Sequence, residues 1–291
     1  VFTRNAAKRI DDLIAAGPGA NLDEVFSQPF AADNLAAVVG LPGLSFTDLV
    51  RWSGAMTAGS ANLFDDPEVW DVSDRARADV DAAIDEAIPY LREHPDSSML
   101  SVMIHSDDRL PDEVIRANIK LAISGGINEP QHTVTNGVWA LSRHPEQLDR
   151  VRERPSGFLN AFDEVVRVYP PIHLTVKKSV AHDIELGGVR VPGGSSVISF
   201  FYAGNRDPEQ FENPTVFDVT RERRPGLTFG IGAHGCAGAH IAKAAVGGAA
   251  WPMLYERLGG LRAIDPEAHQ QEGWVFRRLP ELPVTWDEVQ A

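Results

Sequence analysis

Cysteine is almost absent from this chain: Cys236 is the only one among 291 residues. A single cysteine excludes an internal disulfide and is typical of a reducing compartment, so we expect a cytoplasmic protein. Long apolar runs are also missing, since none approaches the ~18 residues that span a bilayer, and no signal-peptide pattern opens the chain. These absences predict no membrane association. Because the first residue is Val1, we expect an N-terminal portion to be missing.

Basic residues are scarce relative to acidic ones. The sequence has 27 Lys and Arg against 41 Asp and Glu, a net charge of −14. A protein that binds nucleic acid or anionic lipid needs a basic face, so this balance predicts neither kind of partner. Apolar residues make up 43% of the chain and charged residues 23%. That composition supports a buried core and excludes a disordered chain.

The apolar pattern predicts mostly helices. Three- and four-residue spacing predicts helices over 5–16, 23–38, 45–59, 73–93, 111–142, 145–153 and 156–168. Between 174 and 202 the sequence is rich in Val, Ile, Thr and Phe with Gly and Pro turns, which favours a small antiparallel sheet. An Ala-rich helix follows to about residue 258, with short strands near 274–276 and 283–286. The fold class expected is mainly α with a minor antiparallel β region, in a single domain over 1–291.

The one cysteine lies in a glycine-rich loop, FGIGAHGCAG, over residues 229–238. Glycines allow a sharp turn, and the helix predicted to follow adds positive potential that favours a thiolate at Cys236. Three other interpretations of the loop compete with this one, and the most ordinary of them is a lone buried structural cysteine. The Gly-x-Gly-x-x-Gly spacing also fits a dinucleotide fingerprint, with Glu256 at the acidic position. Alternatively, Cys236 with His234 and His240 could bind zinc.

The loop resembles the haem-binding signature of the cytochrome P450 family, in which phenylalanine, glycines and a basic residue precede a cysteine. The resemblance implies that haem b is the cofactor, that Cys236 ligates its iron and that His234 contacts a propionate. Phe229 and Gly230 belong to the same cofactor loop, and Lys178 stands where many members have a propionate-binding arginine. The implied fold is that of a cytochrome P450 without its N-terminal part.

Other motifs of this family follow in the expected order. Glu164 and Arg167 are three residues apart on a predicted helix, and Arg221 lies in the segment before the cysteine loop. The resemblance implies that these three residues form a buried structural network. The runs 144–148 and 205–208 are similar to further landmarks of the family.

The long helix departs from the family pattern. Members usually have an acid and then a threonine after a glycine-containing stretch, and here Asn128 and Glu129 take those two positions. Pro130 has no N–H for the carbonyl four residues back, so the helix is predicted to open there. Gly125 and Gly126 would let the backbone approach haem. We expect Glu129 to carry protons in place of the usual pair, with Asn128 beside it.

The resemblance implies a monooxygenase that inserts one oxygen atom from O2 into a small, aromatic substrate. The Asn-Glu-Pro run and the residues 273–277 look like bacterial members that O-demethylate methoxylated aromatics. By that analogy, four side chains would line an apolar pocket: Ile127, Ile172, Leu174 and Phe276.

Electrons would come from a ferredoxin or a flavin-containing reductase that docks on Arg221, Arg223 and Arg224. The alternative is a non-catalytic relative, truncated at its N-terminus, that binds haem or a partner without turnover. The apparent truncation favours this alternative, whereas the intact cysteine loop opposes it.

Overall fold

The computed structural model describes residues 1–290 except Lys177 and Arg223. Its helices are α1 Phe2–Ala16, α2 Gln28–Val39, α3 Phe46–Ser60, α4 Pro67–Glu93, α5 Met99–Ile104, α6 Asp112–Gly125, α7 Asn128–Arg143, α8 Pro145–Arg152, α9 Gly157–Val168, α10 Phe201–Gly204, α11 Ala239–Ala245 and α12 Trp251–Arg257. One π-helical turn, Asp23–Ser27, leads into α2, and another, Val246–Ala250, joins α11 to α12. Within these described residues, no helix is long and apolar enough to cross a membrane.

Local capping fixes where the early helices begin. The Ser45 hydroxyl accepts from the Asp48 N–H at 3.0 Å and starts α3 where the sequence predicted it. The prediction for α4 was wrong by about two turns, because Asp66 caps the helix by accepting from the Glu68 N–H at 2.9 Å. Pro67 then occupies the first helical position, where its missing N–H costs nothing. The short helices α5 and α10 were not predicted.

The strands form four antiparallel ribbons of two strands each. They are β1 Lys178–Ser179 with β4 Ser196–Val197, β2 Ile184–Leu186 with β3 Val189–Val191, β5 Leu258–Gly259 with β8 Glu288–Val289, and β6 Arg262–Ala263 with β7 Val284–Thr285. The region 174–202 thus makes two separate ribbons and not one sheet. All strand pairs in the described part of the chain are antiparallel, so a dinucleotide fold is not supported. A mainly α fold with minor antiparallel β structure is confirmed.

Two apolar cores lie on either side of a break in the long helix. The first core includes Trp251 and, from α7, Val134 and Val138. The second core is built largely from α2 to α6 and contains Ile123 and Ile127. The predicted single helix over 111–142 is divided at residues 126 and 127, and the predicted opening is confirmed. The break therefore lies where the chain passes from one core to the other.

Gly126 is required at this break by packing. A Cβ there would lie 2.5 Å from both the Ala122 carbonyl oxygen and the Leu35 Cδ1 atom. At Gly125, which is exposed, the nearest atom to such a Cβ would be Glu129 Oε1 at 3.9 Å. Of the two glycines predicted to admit haem, Gly125 is open, whereas Gly126 is explained by contact between α6 and α2.

The substitution Gly126→Ala is expected to destabilise the fold by about 1–3 kcal/mol, because the added methyl group overlaps backbone and Leu35. Gly125→Ala is the matched control and should be neutral or slightly stabilising, since it removes backbone freedom without a clash. Urea denaturation of both variants measures the difference. Equal midpoints for the two variants would show that Gly126 is not a packing requirement.

Candidate functional site

The cysteine loop presents its thiol on an open surface. Gly230 and Gly232 have φ of 64° and 69°, in the left-handed region that favours glycine, and they turn the chain back on itself. The Cys236 N–H donates to the Phe229 carbonyl at 2.7 Å and closes the loop. A side chain in place of Gly238 would come within 3.8 Å of the Cys236 sulfur. Cys236 itself is free and exposed.

The loop is anchored on one side and bare on the other. The Phe229 ring stacks on Phe162 with 6.0 Å between ring centroids, so it holds the loop against the first core. The residues from 231 to 237 are all exposed, including His234 and the apolar Ile231 at 70%. Lys178 is exposed on β1. A free, exposed thiol in such a loop is available to bind a soft metal centre as a thiolate.

The zinc interpretation of the loop finds no support. Among the residues that the structure describes, no group of three or more His, Cys, Asp and Glu side chains is arranged to hold a metal ion. Cys236 with His234 and His240 therefore lacks the closed donor set that a structural zinc requires.

Glu164, Arg167 and Arg221 form one buried network. Arg167 donates to both Glu164 oxygens at 2.7 and 2.8 Å, and both side chains are only 4% exposed. The Arg221 Nε atom lies 3.3 Å from Glu164 Oε1, which also accepts from the Asp218 N–H at 2.9 Å. The remaining guanidinium nitrogens donate to carbonyls of the segment 205–216. The network thus ties α9 to the chain that leads into the cysteine loop.

Three further polar side chains hold this segment in place. Asn205 donates to the Thr228 hydroxyl at 2.8 Å and accepts from the Leu227 N–H at 2.6 Å. Thr228 in turn donates to the Val166 carbonyl on α9. Gln147, at the start of α8, accepts from the Val219 N–H at 3.0 Å. The landmark at Asn205 therefore positions the residues just before Phe229, and the landmark at Gln147 holds the same segment farther back, at Val219.

Asn128 is a link between helices. Its amide donates to the Thr57 hydroxyl of α3 at 2.9 Å, and that hydroxyl donates to the Ser124 carbonyl at 2.8 Å. The Ser124 carbonyl lies just before the helix break and so gains a partner from α3. Thr57 was missed in the sequence, because a lone threonine in an amphipathic helix gives no signal of a contact 67 residues away.

Glu129 has a buried carboxyl group with no counterion. Its Oε2 atom is buried and has no hydrogen-bond partner, although the residue as a whole is partly exposed. Burial raises the pKa of Glu129 to about 8, because the charged form loses its hydration. The carboxyl is therefore protonated at neutral pH and can both give and take a proton.

This raised pKa has a consequence for stability. The folded state holds the Glu129 proton up to a pKa of about 8, whereas the unfolded chain releases it near 4.5. Stability contributed by this proton is complete below 4.5 and is lost as the pH rises towards 8. Glu129→Gln removes this pH dependence. The free energy of unfolding of the variant, relative to that of the wild type, should therefore rise by roughly 1 kcal/mol per pH unit in this window. Urea denaturation from pH 5 to 8 measures it, and a constant difference would contradict the raised pKa.

Three of the four predicted pocket residues share one face. Ile172 pairs with Phe276 and Leu174 pairs with Phe200 in isolated antiparallel bridges, and alternate residues of an extended chain point the same way. The prediction that Ile127 lines this pocket is corrected, because the residue is 1% exposed and packs in the second core. A cavity of about 450 Å³ lies beside this face and is lined by Ala61, Leu63, Phe64, Trp274, Val275 and Phe276.

Comparison with known proteins identifies the family. Residues 158–248, which hold Glu164, Arg167, Arg221 and Cys236, match the family model described as Cytochrome P450. The biotin biosynthesis cytochrome P450 of Bacillus subtilis (strain 168) is 30% identical over 264 residues, which are 90% of this chain. The chain belongs to the cytochrome P450 family. Its match covers 66% of that relative's length.

Other cytochromes P450 match over the same extent. The 6-deoxyerythronolide B hydroxylase of Saccharopolyspora erythraea is 30% identical over 268 residues, 90% of this chain and 64% of the relative. The chain thus spans a little under two thirds of these curated relatives. The structure of P450BioI in complex with an acyl carrier protein ligated to hexadec-9Z-enoic acid has a TM-score of 0.89 and 28% identity, covering 98% of this chain and 73% of that one. The structure of CalO2 has a TM-score of 0.86.

Haem b, the cofactor of cytochromes P450, suits the residues present. The thiol is open and free, the adjoining position is Gly238, where a side chain would approach the sulfur, and Gly125 faces outward at the helix break. His234 and Lys178 supply exposed cationic or polar groups of the kind that bind propionates. These residues would hold the cofactor.

The predicted docking patch needs a correction. Arg221 is committed to the buried network, where all three of its guanidinium nitrogens donate to Glu164 or to backbone carbonyls. Arg223 lies outside the described residues. Arg224 is exposed and donates one bond, to the Gln210 carbonyl at 3.1 Å. The patch as predicted therefore retains Arg224 alone among the described arginines.

Proposed function

We propose that this chain is a monooxygenase that transfers one oxygen atom of O2 to a small, uncharged aromatic substrate. The observation that carries this proposal is the free, exposed Cys236 thiol, held in a glycine turn that Phe229 and the Glu164 network fix to the core. Haem, when bound through that sulfur, supplies the redox chemistry that activates oxygen. The chain's own residues set the ligand, the pocket and the supply of protons.

The cavity beside Phe276 supports this substrate class. Its volume of about 450 Å³ suits a single-ring compound, and the exposed Phe64 and Trp274 offer aromatic surfaces. None of its described lining residues carries a charge. The lining therefore offers a carboxylate no partner, and neutral methoxylated aromatics are preferred to benzoates. Oxidation at the methoxy carbon would release a phenol and formaldehyde.

Glu129 is proposed to deliver protons at the helix break. Its carboxyl lies near Gly125 and is protonated at neutral pH because burial raises its pKa to about 8. A protonated, unpaired carboxyl can donate its proton to a reacting oxygen and then be protonated again through water. Asn128 does not share this role, since its amide is held by Thr57. It positions the first turn of α7.

Electrons are proposed to come from a ferredoxin or a flavin-containing reductase, as the family implies. The exposed Arg224 beside the segment that leads into the cysteine loop supports an acidic partner there.

Turnover tests the proposal directly. The haem-loaded chain, supplied with NADH, a ferredoxin and its reductase, should release formaldehyde from neutral methoxybenzenes. Matched methoxybenzoates should react more slowly by at least several-fold. Formaldehyde from none of the compounds would remove the demethylase assignment. A thiolate-bound haem that oxidises nothing in a broad panel of aromatics would favour the non-catalytic alternative.

A further inference from the structure

A buried polar network joins α7 to the π-helical turn that precedes α2. Gln131 donates to Asp23 Oδ2 at 2.7 Å, and Thr135 donates to Asp23 Oδ1 at 2.8 Å. His132 Nδ1 lies 3.9 Å from Asp23 Oδ1, within ion-pair distance. None of these four residues is more than 6% exposed. The network thus places a carboxylate and an imidazole together in the interior.

The backbone at Asp23 is shaped for this contact. Asp23 and Ser27 are the two ends of the π-helical turn before α2, and turns of this kind are frequent at functional sites. Thr135 lies within hydrogen-bond distance of both side chains, 2.9 Å from the Ser27 hydroxyl. Asn21 accepts from the Asp23 N–H at 3.1 Å and fixes the start of the turn. The turn therefore brings its first and last side chains to the same point on α7.

Asp23 keeps its charge in this setting. Burial raises the pKa of Asp23, but the nearby His132 imidazole, with donation from Thr135 and Gln131, outweighs burial and leaves the pKa below its usual range. His132 lowers the pKa of Asp23 more than Thr135 or Gln131 does. An imidazole beside a carboxylate is a group that can hold a proton.

A row of unsatisfied polar atoms connects this pair with the helix break. Glu129 Oε2, Gln131 Oε1, His132 Nδ1 and Asn136 Oδ1 are all buried without a hydrogen-bond partner. Glu129, His132 and Asn136 are spaced at three and four residues, so they share one face of α7. Buried polar atoms are normally bonded to protein or to internal water. These orphaned atoms on successive turns mark sites for internal waters along α7.

We propose that the Asp23–His132 pair returns protons to Glu129 through internal waters along this face. An N–H bond of the His132 imidazolium breaks, an O–H bond forms on the Glu129 carboxylate, and the neutral imidazole later regains a proton from water. Asp23 stays charged throughout and compensates the imidazolium. The inference rests on the proposed role of Glu129, and His132 acts through that residue as a positioning and proton-holding group.

Coupled titration tests the proposal without turnover. The imidazole signal of His132 is followed by NMR against pH in the purified chain and assigned by its loss in His132→Gln. We expect two inflections, one of which coincides with the titration of Glu129 and disappears in Glu129→Gln. Thr133→Val is the matched control, because it removes an α7 hydroxyl bonded to the Glu129 carbonyl but no titratable group. It should keep both inflections. Identical curves in the wild type and Glu129→Gln would overturn the proposal.

Turnover provides a second, separable readout. In the haem-loaded chain with an electron donor, His132→Gln and Asp23→Asn should each raise the share of electrons lost as peroxide several-fold, while the carbon monoxide spectrum stays that of the wild type. An unchanged share in both variants would contradict the proposal. If the wild type oxidises no substrate, the proposed function fails, and the NMR titration alone decides whether His132 and Glu129 exchange protons.

Discussion

Replacing Cys236 by alanine is expected to reduce substrate oxidation to background. The sulfur is the chain's one thiol, and the loop offers no other soft ligand for haem iron. Haem held without it lacks the thiolate that favours cleavage of the O–O bond. Formaldehyde release per electron consumed measures the loss, with circular dichroism to show that the helices persist.

A control in the same loop separates ligation from loop folding. Ala237→Ser adds a hydroxyl at the exposed neighbouring position and leaves the thiol in place. This variant should retain most of the activity. Turnover by Cys236→Ala at the wild-type rate would mean that the thiol is not the functional centre.

The substitution Glu164→Gln is expected to cost about 3–5 kcal/mol of folding free energy, the magnitude found when one partner of a buried ion pair is removed. It leaves the Arg167 guanidinium, 4% exposed, and the part-buried Arg221 without their shared carboxylate. The carbonyls that they also contact do not neutralise the charge. Because the network holds the chain before Phe229, haem retention should fall as well.

Glu267→Gln is the matched control for burial. Arg143 likewise donates two hydrogen bonds to Glu267, at 2.9 and 2.8 Å, but the Glu267 side chain is 72% exposed. Exposed pairs contribute little, because water screens the two charges. Urea denaturation of both variants should therefore show a large loss for Glu164→Gln and little for Glu267→Gln. Equal losses would mean that burial does not increase the contribution of the network to the free energy of unfolding.

The sequence predicted those features that depend on local chemistry. Pro130 cannot supply an N–H, and the helix breaks within the four residues that precede it. The glycine loop around Cys236 forms its turn at Gly230 and Gly232, where only glycine adopts the conformation without strain. Such features need no knowledge of distant parts of the chain.

Features that depend on distant contacts were missed or misassigned. Ile127 was predicted to line the pocket, because spacing along a helix does not say which of two cores a residue joins. Arg221 was assigned to a docking patch as well as to the network, although one guanidinium cannot serve both. The pairing of Asp23 with Gln131 spans 108 residues. The buried polar residues of α7 were the available signal for that contact.

Ligation of haem iron by the Cys236 thiolate can be read from the carbon monoxide difference spectrum of the reduced, purified chain. We expect one haem per chain and the red-shifted band that thiolate ligation produces, with that band absent in Cys236→Ala. A folded chain that binds no haem, or binds it without this band, would contradict ligation by the thiolate.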